Sequence, residues 1–186
     1  MSEDPGSRSC NVAVSRAGGA WDDGLPEAAV LAGRAVRAAL GAVRGPDPQA
    51  APAEVSVLLA DDAALQQLNR DYRQRDRATN VLAFPNMPPD ETPPPGLGLA
   101  LGDLALAWET LNREAAVQDK PLAHHFCHLL VHGTLHLLGY DHETTAEAEI
   151  MEAAERRILG SLGIPDPYRS PGDGAPPPKE EALGAD

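Results

Sequence analysis

Apolar positions recur along this chain with two periods, and the switches between them mark out its elements. Residues 10–16, CNVAVSR, alternate weakly and predict a short strand. Over 25–43, Ala29, Val30, Ala32, Val36, Leu40 and Val43 fall near one face at helical spacing, which predicts an amphipathic helix. Prolines make 45–54 a loop. The β-branched run EVSVLLAD (54–61) predicts a second strand, after which Asp61 or Asp62 can cap a helix through 63–73. NVLAFP (80–85) is a third strand, stopped by its proline.

Residues 85–98 are proline-rich and have little to bury, so they predict a loop. LALGDLALAWE (99–109) resumes as a strand interrupted near Gly102, and 109–118 turns helical. Pro121 suits the first turn of a long helix that ends at Gly139. A second long helix is expected over 144–163, with acids early and Arg156 and Arg157 late, as its dipole favours. From Pro165 to Asp186 the chain is rich in proline and acid and is expected to be disordered. No internal repeat is visible. The pattern predicts an α+β fold, a small mixed sheet of about four strands packed with about five helices. One domain over 1–164 accounts for it.

Composition narrows the partners. With 186 residues there is core for one domain. No apolar run approaches the ~20 residues of a bilayer span, so no membrane partner is expected. The start, MSEDPGSRSC, is not expected to act as a secretory signal, and two distant cysteines, Cys10 and Cys127, are not expected to make a disulfide framework. A cytoplasmic location follows as the simplest expectation. The net charge of −13 argues against strong nucleic-acid binding. Against that, Arg70, Arg73, Arg75 and Arg77 crowd one short segment, although Asp71 and Asp76 lie among them. On charge alone this segment reads as a solvated helix end.

The stretch HGTLHLLGYDH, 132–142, changes the picture. His132 and His136 are four apart and face the same way on a helix, so they can grip one ion. His128 is eight residues from His136, about 12 Å along the axis, and cannot join the same ion. A position behind the site suits it better. Gly139 can end the helix in a left-handed turn and return His142 to the pair. Three neutral ligands and an open fourth position are the layout of a catalytic zinc. The spacing follows that of zinc peptidases except that Gly133 stands where their general-base glutamate would be. His124 and His125 are not expected to be ligands, and Cys127 is expected to be a buried apolar residue.

Arginines beside such a site favour phosphate chemistry, because a guanidinium can pair with two non-bridging oxygens. Together, LNRDYRQRDRATNVLAFP (68–85), LGDLALAWE (101–109) and HLLVHGTLHLLGYDHE (128–143) resemble the YbeY family of bacterial endoribonucleases. The resemblance covers most of 54–160. It implies a small α/β domain, one zinc ion on the histidines matching His132, His136 and His142, and a functional arginine matching Arg73. It also implies cleavage of single-stranded RNA in ribosomal RNA processing, especially 3′-end maturation of small-subunit RNA, and ribosome quality control, with the ribosome or its proteins as partners. Ala78 and Ala83 depart from the family's usual Pro and Ser without removing a ligand or a charge. Two other readings stay open. One is a metal-dependent hydrolase of another substrate, such as an atypical peptidase. The other is a non-catalytic ribosome-assembly factor with a structural zinc.

Overall fold

The computed structural model describes residues 10–45, 51–88, 91 and 98–169. Its elements run β1 (Cys10–Ala17), α1 (Trp21–Gly24), α2 (Ala28–Arg44), β2 (Ala53–Ala60), α3 (Asp62–Arg73), β3 (Val81–Pro85), β4 (Leu99–Ala107), α4 (Trp108–Val117), α5 (Leu122–Leu137) and α6 (Thr145–Ser161). The sheet has the order β1-β2-β4-β3. β1, β2 and β4 are parallel, and β3 closes one edge antiparallel to β4. This is the expected α+β architecture, with four strands as predicted and a sixth, one-turn helix.

That extra turn, α1, exists because Trp21 is buried. Its indole N–H donates to Ala60 O at 3.0 Å, and its ring packs against Trp108 and Phe126. A second correction concerns β4. The strand was expected to reach residue 109, but helix α4 begins at Trp108 with no loop between. The interruption expected near Gly102 is a bulge: the β2–β4 register slips there, and Gly102 has φ 148°. A Cβ at Gly102 would lie 2.2 Å from Phe84 O, so no larger residue fits beside the edge strand.

Alternation along the strands splits the core in two. Val55, Val57, Leu59, Leu104 and Leu106 join α2, α5 and α6 on one face, around Phe126 and Leu130. Ala60, Leu82, Ala105 and Ala107 face the other way, against Leu65 and Leu68 of α3. Asp61 caps α3, its Oδ1 accepting from Ala64 N at 2.8 Å, a contact of the kind worth about 1 kcal/mol. Asp62 instead ties α3 to α4 by accepting from the Thr110 amide and hydroxyl.

α5 therefore lies nearly all inside, between the sheet and helices α2, α4 and α6. Cys127 is buried, as expected, and burial pushes its thiol up to about 11. In the segment expected to be disordered, residues 165–169 lie against the body. There Lys120 donates to Pro167 O at 2.5 Å and Arg156 pairs with Asp166 at 3.3 Å. Residues 170–186 and most of the proline-rich loop, 89–90 and 92–97, lie outside the described residues.

Candidate metal centre

Helix α5 ends as the glycine predicts. Tyr140 N donates to Leu135 O at 3.0 Å and Gly139 N to His136 O at 3.1 Å, with Gly139 at φ 92°. These two bonds are the Schellman closure of a helix C-terminus. Helix α6 then opens with a capping box: Glu147 N donates to Thr144 Oγ1 at 3.2 Å and Thr144 N to the Glu147 carboxylate at 3.0 Å. His142 sits on the short link between these two fixed ends. The chain has little freedom there, and His142 is returned to the α5 pair.

His132, His136 and His142 each offer a nitrogen, and the three nitrogens lie within 4.8 Å of one another. The Nε2 atoms of His132 and His136 are 3.1 Å apart. A tetrahedral ion with Zn–N bonds of about 2.0–2.1 Å needs ligand nitrogens roughly 3.3 Å apart, so the pair is already at ligand spacing. The opposite ring nitrogens are occupied. His136 Nδ1 donates to Tyr140 O at 3.0 Å, and His132 Nδ1 faces Glu155 Oε1 at 2.5 Å. Both contacts fix the tautomer that turns Nε2 to the ion. Burial, helped by the nearness of His132 and His142, lowers the pKa of His136 and favours the neutral form that ligates. The donor set fits a metal ion.

Glu155 is the part of this site that reading the sequence missed. It lies on α6, is 0 % exposed, and bridges His132 to His128 Nε2 at 3.0 Å. The Tyr168 hydroxyl also donates to it. Burial alone would raise the Glu155 pKa, but the hydrogen bonds from His128, His132 and Tyr168 outweigh it and hold the carboxyl at about 2. A buried carboxylate this well paired orients His132 from behind. His128 is accordingly a partner of Glu155, outside the cluster, while His125 turns to Glu114 on α4 at 2.8 Å. Glu155→Gln should keep the shape but lose the charge, lowering metal affinity about 10–100-fold. Metal competition titration against a chelator of known affinity checks this.

Gly139 gives a second test. A β-branched side chain resists positive φ, so Gly139→Val should lose metal from a protein that still folds. Zinc content by elemental analysis, beside circular dichroism, reads both outcomes.

Position 133 explains the missing glutamate. A Cβ there would lie 2.8 Å from Leu104 Cδ2 and 3.4 Å from Val81 Cγ2, so the residue after the first histidine faces the sheet. A carboxylate at that point would be buried among apolar side chains.

Arg73 belongs to a different element from the histidines. It ends α3, and its Nη2 donates to Ala83 O on edge strand β3 at 3.1 Å. No carboxylate among the described residues pairs with it. β3 in turn packs on α5, the helix that carries two of the histidines.

Comparison with known proteins supplies the rest. The family model described as "Endoribonuclease YbeY" matches residues 31–163. The Endoribonuclease YbeY of Rhodopseudomonas palustris (strain BisA53) is 53% identical over 142 residues, 76% of this chain and 80% of that protein. Its counterpart in Paramagnetospirillum magneticum (strain ATCC 700264 / AMB-1) is 51% identical over 150 residues, 80% of this chain and 90% of that one. The solution structure of TM1509 from Thermotoga maritima is a looser likeness, with TM-score 0.48 and 20% identity over 89% of this chain and 100% of that chain. With about half its positions shared along most of both chains, the chain belongs to the YbeY endoribonuclease family.

Proposed function

We propose that this protein is a zinc-dependent endoribonuclease that cuts single-stranded RNA. We place it in ribosomal RNA processing, including 3′-end maturation of small-subunit RNA, and in ribosome quality control in the cytoplasm. The observation that carries this reading is the convergence of His132, His136 and His142 in a chain of the YbeY family. One zinc ion held there would supply Lewis-acid polarisation of oxygen, the chemistry that phosphodiester cleavage needs.

The chain's own groups do the rest. Glu155 and the Tyr140 carbonyl hold two imidazoles in register. The Arg73 guanidinium spends one N–H on Ala83 O and keeps the others for a phosphate oxygen, where charge grows during attack. The net charge of −13 supports the ribosome, or a protein bound to it, as the partner that presents the RNA. Among the described residues no helix is long and apolar enough to cross a membrane. The peptidase alternative is disfavoured by Gly133, whose side-chain direction leads into the sheet.

A substrate panel tests the reading. Zinc-loaded protein should cleave a single-stranded RNA at least about 10²-fold faster than the same sequence in a duplex, and should leave casein intact. Peptide hydrolysis, or equal cleavage of both RNA forms, would contradict it.

A further inference from the structure

The arginine-rich segment reads differently once its acids are located. Asp76 accepts from Gln66 at 2.9 Å and Asp71 from Gln67 at 2.7 Å, and both lie within 4.0 Å of Arg70. They are matched by one arginine. Arg73, Arg75 and Arg77 have no carboxylate partner among the described residues, on a chain whose net charge is −13. Three uncompensated guanidiniums within five positions make a local basic surface on an acidic molecule.

The surface is also shaped. Asn69 is buried, and its side-chain amide donates to Arg77 O at 2.8 Å while its backbone carbonyl accepts from Arg75 N at 3.2 Å. Gln74, at φ 55°, turns the chain out of α3. The turn that displays the arginines is thus pinned to the helix. On the last turn of α3, next to Arg73 and just ahead of that turn, stands Tyr72, 71% exposed, the most exposed tyrosine, tryptophan or phenylalanine among the described residues. Its ring leans on Phe84 of β3 with centroids 5.3 Å apart, so its direction is fixed although its face is bare. A large apolar ring held out to solvent at the head of a run of exposed arginines fits one kind of ligand well, an unpaired base whose backbone runs along cations.

We propose that Tyr72 is a stacking platform for an unpaired nucleobase, and that Arg75 and Arg77 hold the adjoining phosphates. The inference rests on the RNA-cleaving reading above and extends it from the reacting phosphate to the recognition of single strands. A duplex keeps its bases stacked on one another and cannot offer one to the ring.

The test uses zinc-loaded protein and single-stranded RNA carrying 2-aminopurine at successive positions, a base whose fluorescence falls on stacking. Stopped-flow fluorescence records binding, and gel analysis of the same mixtures records cleavage. Wild type and Tyr72→Phe should quench 2-aminopurine at one position. Tyr72→Ala should lose that quenching, bind about tenfold more weakly and raise KM, with zinc content unchanged. Tyr72→Ala that binds and quenches like wild type, in a preparation whose wild type cleaves RNA, would overturn the platform and leave the nuclease reading standing. Equal losses in Tyr72→Phe and Tyr72→Ala would overturn stacking in favour of a hydroxyl contact. A zinc-loaded wild type that neither binds nor cleaves single-stranded RNA would overturn both readings.

Discussion

Replacing His136 by alanine is expected to strip the metal and cut RNA cleavage below about 1% of wild type, while the domain stays folded. The expectation follows from where His136 sits. Its Nε2 is 3.1 Å from that of His132, its Nδ1 is tied to the turn that returns His142, and it is only half-buried. Two remaining histidines are too few to hold zinc in a catalytic site, and losing an electrostatic centre of this kind costs about 10²–10³ in rate or more. His128→Ala is the matched control. His128 is one turn from His132 on the same helix but pairs with Glu155, so its loss should weaken the metal site without emptying it. Elemental analysis of both variants, with unfolding midpoints to show that each is native, reads the difference. Equal metal loss from the two would overturn the ligand assignment.

The second large effect belongs to Arg73. Arg73→Ala should keep its zinc and its fold yet lose about 10²–10³ in single-turnover cleavage, the usual cost of removing one preorganised donor. Arg73 is exposed and, among the described residues, its guanidinium bonds only to an edge-strand carbonyl, so the fold has little to lose. Lysine should rescue only part of the rate, because an ammonium cannot bond Ala83 O and a phosphate with the same planar fork. Arg75→Ala and Arg77→Ala should act on binding instead, each reducing the salt dependence of RNA affinity by about one counterion. Full single-turnover activity in zinc-loaded Arg73→Ala would remove the assigned role.

What the sequence made legible was local. The i, i+4 histidines and the glycine three residues before His142 are short-range signals, and each is where its spacing predicts. The strands and long helices were legible for the same reason, since periods of 2 and 3.6 leave a trace in any window of ten residues. What stayed hidden depends on packing between distant segments. Glu155 looks like any acid on a helix rich in them, and only the docking of α6 on α5 brings it, 23 residues on, to His132. Tyr168 lies in a proline-rich stretch with no periodicity, yet Lys120 and Arg156 hold that stretch in place. The one-turn α1 answers to the burial of Trp21, not to any propensity of WDDG. The basic segment was ambiguous because charge counting cannot say which acid meets which arginine. Arg70 meets both aspartates, and that pairing turns a solvated helix end into a candidate RNA surface.

On the proposed function, the three-histidine centre is the cutting site for RNA. The most direct test titrates metal-stripped protein with zinc while the initial rate on a single-stranded RNA is followed. Cleavage is expected to be negligible without metal, to rise linearly to a break at about one zinc per chain, and not to rise at all in His136→Ala. Cleavage at the full rate in metal-free protein, or a zinc-dependent rise that survives in His136→Ala, would contradict it.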